Sequence, residues 1–251
     1  MSRSRRVEFA CGYVLHQRPF RDTSLIVELY TREHGRLSAF ARAARGPRTR
    51  FGGLQPFRPL LLSWSGRGEA PSLTGAEADG APPEPLAPDC LLSAFYLNEL
   101  LLKLTVAHDP QPELYAHYAD TLALLRAAAP LQQVLRRFEK RLLELLGYGS
   151  ELATEAGGRA VQPLGYYHFR PGAGVWPVAE TATSTATAAT AAGAVQGRVL
   201  LALAADQPLD DAEGQRQSRA ILRAALDHCL DGRELSTRVV ARAVAKMERS
   251  A

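Results

Sequence analysis

The hydrophobic pattern changes period once along this chain, and the change falls at a cluster of prolines. Up to residues 80–88, GAPPEPLAP, apolar residues tend to alternate with polar ones; beyond that segment they recur at helical spacing. Alternate residues line the face of a strand, whereas every third or fourth residue lines the face of a helix. One layer cannot satisfy both. The sequence therefore predicts an α+β multidomain chain, with a barrel domain at 1–80, a Pro-rich linker at 81–88 and a mostly α-helical domain at 89–251.

Within the first 80 residues the runs VEFACGYVLHQ (7–17) and SLIVELYT (24–31) are rich in β-branched and aromatic residues and are separated by the turn-like RPFRD. In the second run Leu25, Val27 and Leu29 share one face; Ile26, Glu28 and Tyr30 share the other. In GRLSAFARA, Leu37, Ala39, Ala41 and Ala43 oppose Arg36, Ser38, Phe40 and Arg42. QPFRPLLLSWSG and the weaker APSLTGAEA bring the number of short strands to five. Five antiparallel strands of this size suit a small barrel of the OB-fold type. Tyr13, Tyr30 and Trp64 are expected in its core.

Beyond the prolines, DCLLSAFYLNELLLKLTVA reads as a core helix. PELYAHYADTLALLRAA begins with Pro112, at a position where a missing N–H costs nothing. PLQQVLRRFEKRLLELLG starts similarly at Pro130 and stops at Gly147. Its Leu131, Val134, Leu135, Phe138, Leu142 and Leu145 form one stripe, with Arg137, Lys140 and Arg141 on the other side. Residues of about 150–198 read as an irregular region containing the low-complexity loop AETATSTATAATAAGA. The end of the chain reads as two helices broken at Asp231-Gly232.

Charge is unevenly spread. The net charge is +4, yet residues 1–80 hold 13 Arg against 7 Asp and Glu, a net of +6, and the remainder is −2. Arg42, Arg45, Arg48 and Arg50 fall within nine residues, and no acid occurs between Glu33 and Glu69. Such a run can follow a phosphate backbone, releasing counterions. Phe40, between Arg36 and Arg42, could stack on a base. The bland alternative is a solvated loop. Gly52-Gly53 would let the chain turn sharply where it re-enters the barrel.

Enzyme signatures are absent: the sequence contains no phosphate loop, GxSxG, HExxH or CxxC, and its six His are scattered. The reading is of a non-enzymatic binding protein with no catalytic residue, metal or cofactor. Three dispersed cysteines suit a reduced, cytoplasmic setting, and no run of about 18 apolar residues suggests a membrane span. The basic N-terminus has no apolar stretch of the kind a secretory signal needs.

The stretch GYVLHQRPFRDTSLIVELYTREHGRLSAFARAARGPRTRFGGLQPFRPLLLSWSGRGE resembles the start of the RecO family of bacterial recombination mediators. The likeness continues at FYLNELLLKL and LRRFEKRLLELLGYG, so it covers roughly residues 8–150 well and the remainder loosely. The resemblance implies an N-terminal OB-fold and a helical domain. It implies binding of single- and double-stranded DNA, annealing of complementary strands, and docking on the acidic, apolar C-terminal tail of single-strand-binding protein (SSB). It also implies work with RecR in loading RecA. Many members carry a four-cysteine zinc module that would follow Gly147-Tyr148-Gly149; here no Cys occurs there before Cys229, so this chain resembles the zinc-free branch.

On this reading the nucleic-acid contacts are Arg36, Phe40, Arg42, Arg45, Arg48 and Arg50. The SSB-tail contacts are Arg136, Leu142, Leu146 and Tyr148, with Arg136 bonding the terminal carboxylate. An RNA-binding OB module and a structural adaptor for an acidic protein remain open alternatives.

Overall fold

The computed structural model describes residues 5–45, 49, 51, 54–66, 68, 70–178 and 193–248. Strands Arg5–Phe20 (β1), Ser24–Thr31 (β2), Gly35–Ala41 (β3), Leu60–Gly66 (β4) and Ser72–Ala78 (β5) close a barrel in the order β1-β2-β3-β5-β4. This is the expected OB-fold. One long strand closes it: β1 pairs with β4 through residues 5–12 and with β2 through residues 12–20. Register shifts between Val7 and Ala10 and between Val14 and His16 bend β1 around the barrel.

The alternation in the sequence fills the interior. Val27, Leu29, Leu37, Ala39, Ala41, Leu62, Trp64 and Leu73 belong to one buried cluster. Phe51 and Leu54 join it from the segment that enters β4. Each fully buried Leu or Val contributes about 1.5–3 kcal/mol relative to exposure. Ala43 does not continue the β3 face, because it lies in the following turn with φ +54°.

Tyr13 and Tyr30 are buried but are not barrel core. They point outward and pack on Tyr115 and Tyr118, with ring centroids 5.1–6.2 Å apart. Those rings belong to helix Pro112–Arg126 (α2), which with Pro88–Leu104 (α1) covers one end of the outer β1–β2–β3 face. At the same end Arg36 reaches the C-terminus of α1. Its Nε donates to Thr105 Oγ1 (3.3 Å), its Nη2 donates to the Thr105 carbonyl (3.1 Å), and its Nη1 pairs with Glu28 (3.5 Å). A guanidinium there satisfies a carbonyl at the helix end and complements the helix dipole. Gly35, at φ +65°, is required beside it, since a Cβ would lie 2.3 Å from the Asp109 carbonyl oxygen.

The described helices continue with Leu131–Leu145 (α3), Gly197–Ala204 (α4), Ala212–Leu230 (α5) and Ser236–Glu248 (α6). Gly147, at φ +81°, ends α3, with its N–H on the Glu144 carbonyl and the Tyr148 N–H on the Leu143 carbonyl. The region read as irregular contains a small antiparallel sheet, Tyr166–Arg170 (β6), Gly174–Pro177 (β7) and Val195–Gln196 (β8), in the order β7-β6-β8. Most of the Ala/Thr-rich insert, 179–192, lies outside the described residues.

The chain forms two compact units, residues 1–129 with 234–251 and residues 130–233. The division in packing therefore falls after α2 rather than at the prolines. Arg126 of α2 holds the Pro-rich segment to the first unit by donating to the carbonyls of Glu84 (2.9 Å) and Phe57. In the second unit Asp211 caps α5 through the Gly214 N–H (2.7 Å) and takes a two-pronged bond from Arg198 of α4 (2.8 and 2.9 Å).

Helix α6 returns to the first unit, where Glu99 of α1 caps it from outside. Its carboxylate accepts the N–H groups of Ser236 (2.7 Å) and Thr237 (2.9 Å) and the Thr237 hydroxyl (2.7 Å). Burial alone disfavours the charged form, but these bonds and the Lys103 ammonium outweigh it and hold the Glu99 pKa below its ordinary value. A depressed folded pKa contributes stability that is present above the unfolded value and lost as pH falls through the folded one. The α6 amides should therefore exchange faster below about pH 4. Glu99→Ala should produce the same loosening at neutral pH, at a cost of about 1 kcal/mol, while barrel amides stay protected. Unchanged exchange across 236–248 in the variant would contradict the cap. Separately, Arg36→Ala should lower the unfolding free energy in denaturant by about 1.5–3 kcal/mol, the usual worth of hydrogen bonds to a charged group.

Candidate functional site

Residues directly opposite one another on paired strands share a face. The registers Arg18↔Ile26↔Phe40 and His16↔Glu28↔Ser38 therefore set the outer face of β1–β2–β3 beyond the end covered by α1 and α2. Glu28 marks the border, accepting from the Ser38 hydroxyl at 2.6 Å and pairing with Arg36. Past it the face is open. Arg18 is exposed and Phe40 half-buried. Phe40 is anchored where the barrel closes: its N–H donates to the Pro71 carbonyl (2.8 Å) and its backbone pairs with Ser72 of β5.

Phe20, the last residue of β1, lies 5.3 Å from Phe40, with ring planes at 51°. The Arg21 guanidinium sits 5.3 Å from the Phe20 ring centroid. The turn after β3 is tied to the turn after β1 by the Arg45 N–H donating to the Thr23 carbonyl (2.9 Å). Exposed Arg42 and Arg45 stand in the turn so joined to the one that follows Phe20, with Asp22 the single carboxylate in the two turns. Arg48, Arg50, Gly52 and Gly53 lie outside the described residues. Arg36 is separate from this group, since its guanidinium is bonded at the covered end. Arg18, Phe20 and Arg21 are not among the residues the sequence singles out, because RPFRD has the composition of a turn, whereas β1 runs through Phe20 and the turn is Arg21–Thr23.

The second candidate set divides between several places. Arg136 lines a groove of about 220 Å³ with Arg137, Lys140, Leu203, Pro208 and Leu209. Its Nη2 donates to Glu139 at 2.9 Å, while its buried Nε has no hydrogen-bond partner among the described residues. Lys140 is bonded to Asp206 (2.8 Å) and the Ala204 carbonyl (3.0 Å). Arg137 is exposed and forms no ion pair among the described residues. Leu142 is fully buried. Leu146 is half-buried, and Tyr148, 53% exposed, lines separate grooves at the end of α3. Arg136 is thus brought together with Arg137 and Lys140, and not with Leu142, Leu146 or Tyr148.

Burial raises the thiol pKa of Cys11, Cys90 and Cys229, with the charges of Asp79 and Glu33 adding at Cys11 and that of Asp89 at Cys90. Thiols so shifted are poor nucleophiles. Among the described residues no group of three or more His, Cys, Asp or Glu side chains could hold a metal ion, and no helix is long and apolar enough to cross a membrane.

Comparison with known proteins matches two successive parts of the chain. Residues 9–80 match the family described as Recombination protein O N terminal, and residues 87–234 match Recombination protein O C terminal. A protein named DNA repair protein RecO from Alkalilimnicola ehrlichii is 43% identical over 249 residues, covering 98% of this chain and 95% of its own. The protein of that name from Methylococcus capsulatus is 42% identical over 235 residues, covering 93% and 92%. That from Pseudomonas aeruginosa is 42% identical over 227 residues, covering 90% and 91%. With an OB-fold barrel in the first matched segment and helices through the second, the chain belongs to the RecO family of DNA repair and recombination proteins.

Proposed function

We propose that this chain is a non-enzymatic, cytoplasmic DNA-binding mediator. In this reading it binds single- and double-stranded DNA, anneals complementary strands, docks on the SSB C-terminal tail and, with RecR, assists RecA loading. The observation that carries the DNA reading is the open end of the barrel face. There Arg18 shares the face of the Phe20–Phe40 pair, Arg21 lies over the Phe20 ring, and Arg42 and Arg45 stand in the adjoining turn. Aromatic faces accept any base, and guanidinium groups beside them neutralise the backbone. Arg48 and Arg50 extend the same basic segment in the sequence. Arg36 is left out of the contact set because its bonds to Thr105 and Glu28 occupy it.

For the SSB tail the α3 groove is the better candidate than the end of α3. It combines Leu203, Pro208 and Leu209 with the cations Arg136, Arg137 and Lys140. An acidic peptide ending in an apolar residue and a free carboxylate needs that combination.

Replacing Arg42, Arg45, Arg48 and Arg50 together by Ala should weaken binding of labelled single-stranded DNA and flatten its salt dependence. Each lost phosphate contact should reduce the log–log slope by about 0.7 to 0.9. An unchanged slope in the folded variant would remove the segment from the interface. For the groove, Arg136→Ala should lower affinity for an SSB tail peptide about ten- to a hundredfold, the equivalent of one charge-assisted bond. Naked-strand annealing should persist while annealing of SSB-coated strands fails. Because Arg136 also pairs with Glu139, thermal unfolding is measured alongside. Arg137→Ala tests the same groove without touching that pair. Intact tail affinity in both variants would exclude the groove.

A further inference from the structure

The small sheet of the second unit has one covered face and one on which Tyr166 and His168 are half-buried and Arg170 and Trp176 exposed. Tyr167, Val175 and Val195 are buried on the covered side. The registers Tyr166↔Gln196, His168↔Trp176 and Arg170↔Gly174 put Tyr166, His168, Arg170 and Trp176 together on the other side. Trp176 is 43% exposed, although a ring of that size buries most of its surface when it is core. It is nevertheless held in place. Its indole N–H donates to the Ala173 carbonyl (3.0 Å), and the Arg170 guanidinium stands 5.9 Å from a ring centroid. Gly174, opposite Arg170, adds no side chain to the face. From Ala156 to Val178 the sequence contains Arg159, His168 and Arg170 and no carboxylate. Arg170 forms no ion pair among the described residues.

We propose that this face is a second contact for single-stranded DNA, with a base stacked on Trp176 and a neighbouring phosphate met by Arg170. Three features select that occupant. A stacking ring is useful only where base faces are free, which excludes an intact duplex. An acid-free strand pair carrying an Arg beside the ring complements a polyanion. Alternating aromatic and basic residues on an open sheet face support unstacked bases without reading sequence. The inference rests on the reading that the chain binds DNA, but it uses different residues in a different unit from the barrel face.

The test uses the full chain and oligothymidylate. Trp64 is buried and Trp176 exposed, and the chain holds no third Trp, so intrinsic fluorescence reports on the site. Oligothymidylate should quench wild-type emission. The quenching should persist in the Arg42, Arg45, Arg48 and Arg50 variant and vanish in Trp176→Phe. By anisotropy with labelled oligothymidylate, Trp176→Ala and Arg170→Ala should each bind about tenfold more weakly, whereas Trp176→Phe, which keeps a stacking ring, should stay near wild type. The proposal is overturned if the wild type binds without quenching, if Trp176→Phe quenches as fully as wild type, or if both Ala variants bind normally. Quenching by oligouridylate but not oligothymidylate would assign the face to RNA and overturn it as well. A wild type that binds no oligonucleotide would end the DNA reading itself. Weak binding by the barrel variant alone would leave that reading standing and count against this face.

Discussion

Asn98 of α1 is the contact on which the arrangement of the first unit depends. It is almost wholly buried, its Nδ2 donates to the Leu15 carbonyl of β1 (2.8 Å), and its Oδ1 accepts the Tyr118 hydroxyl of α2 (2.6 Å). One side chain therefore joins the barrel to both helices. Burial pushes the Tyr118 phenol far up, so it remains a donor. A polar group at this depth is tolerated because both ends of the amide are satisfied; leaving either partner unmade costs about 1–3 kcal/mol.

That bond determines how the barrel can be used. With α1 and α2 fixed, the end of the outer face bearing Tyr13, Tyr30 and Arg36 is closed, and the end bearing Arg18, Phe20 and Phe40 is left open. Arg36 and Phe40 lie four residues apart on one strand and on one face, yet one serves the packing of a helix and the other faces outward. The border between them is Glu28, whose Oε1 accepts from Ser38 and whose Oε2 forms an ion pair with Arg36 at 3.5 Å. Phe40 is held at the open end, where β3 meets β5.

Much of this was legible in the sequence where the signal is local. Alternation placed Leu25 to Tyr30 and Leu37 to Ala41 on the correct faces, and helical spacing, Pro112 and Gly147 marked the helices and their ends. Non-local pairing was not legible. Arg36 looks like its neighbours Arg42 and Arg45, but Thr105, its partner, is 69 residues away. Phe20 and Phe40 meet across two registers that no spacing rule reveals. Helix α4 is a short, continuous apolar run, which periodicity cannot assign. Strands β6 to β8 are only two to five residues long and interrupted by Gly and Pro; they persist because Tyr167, Val175 and Val195 are buried. The prolines marked where the pattern changes, but Arg126 and Asn98 bind the helices beyond them to the barrel.

Whether nucleic acid lies on the open end of the β1–β2–β3 face, as proposed, can be read by photochemical crosslinking. Single-stranded DNA carrying iodouracil couples to aromatic rings that stack on its bases. After irradiation and proteolysis of the full chain, mass spectrometry should find modified peptides at Phe20 or Phe40. Efficient crosslinking with neither of those peptides modified would place the nucleic acid on another surface.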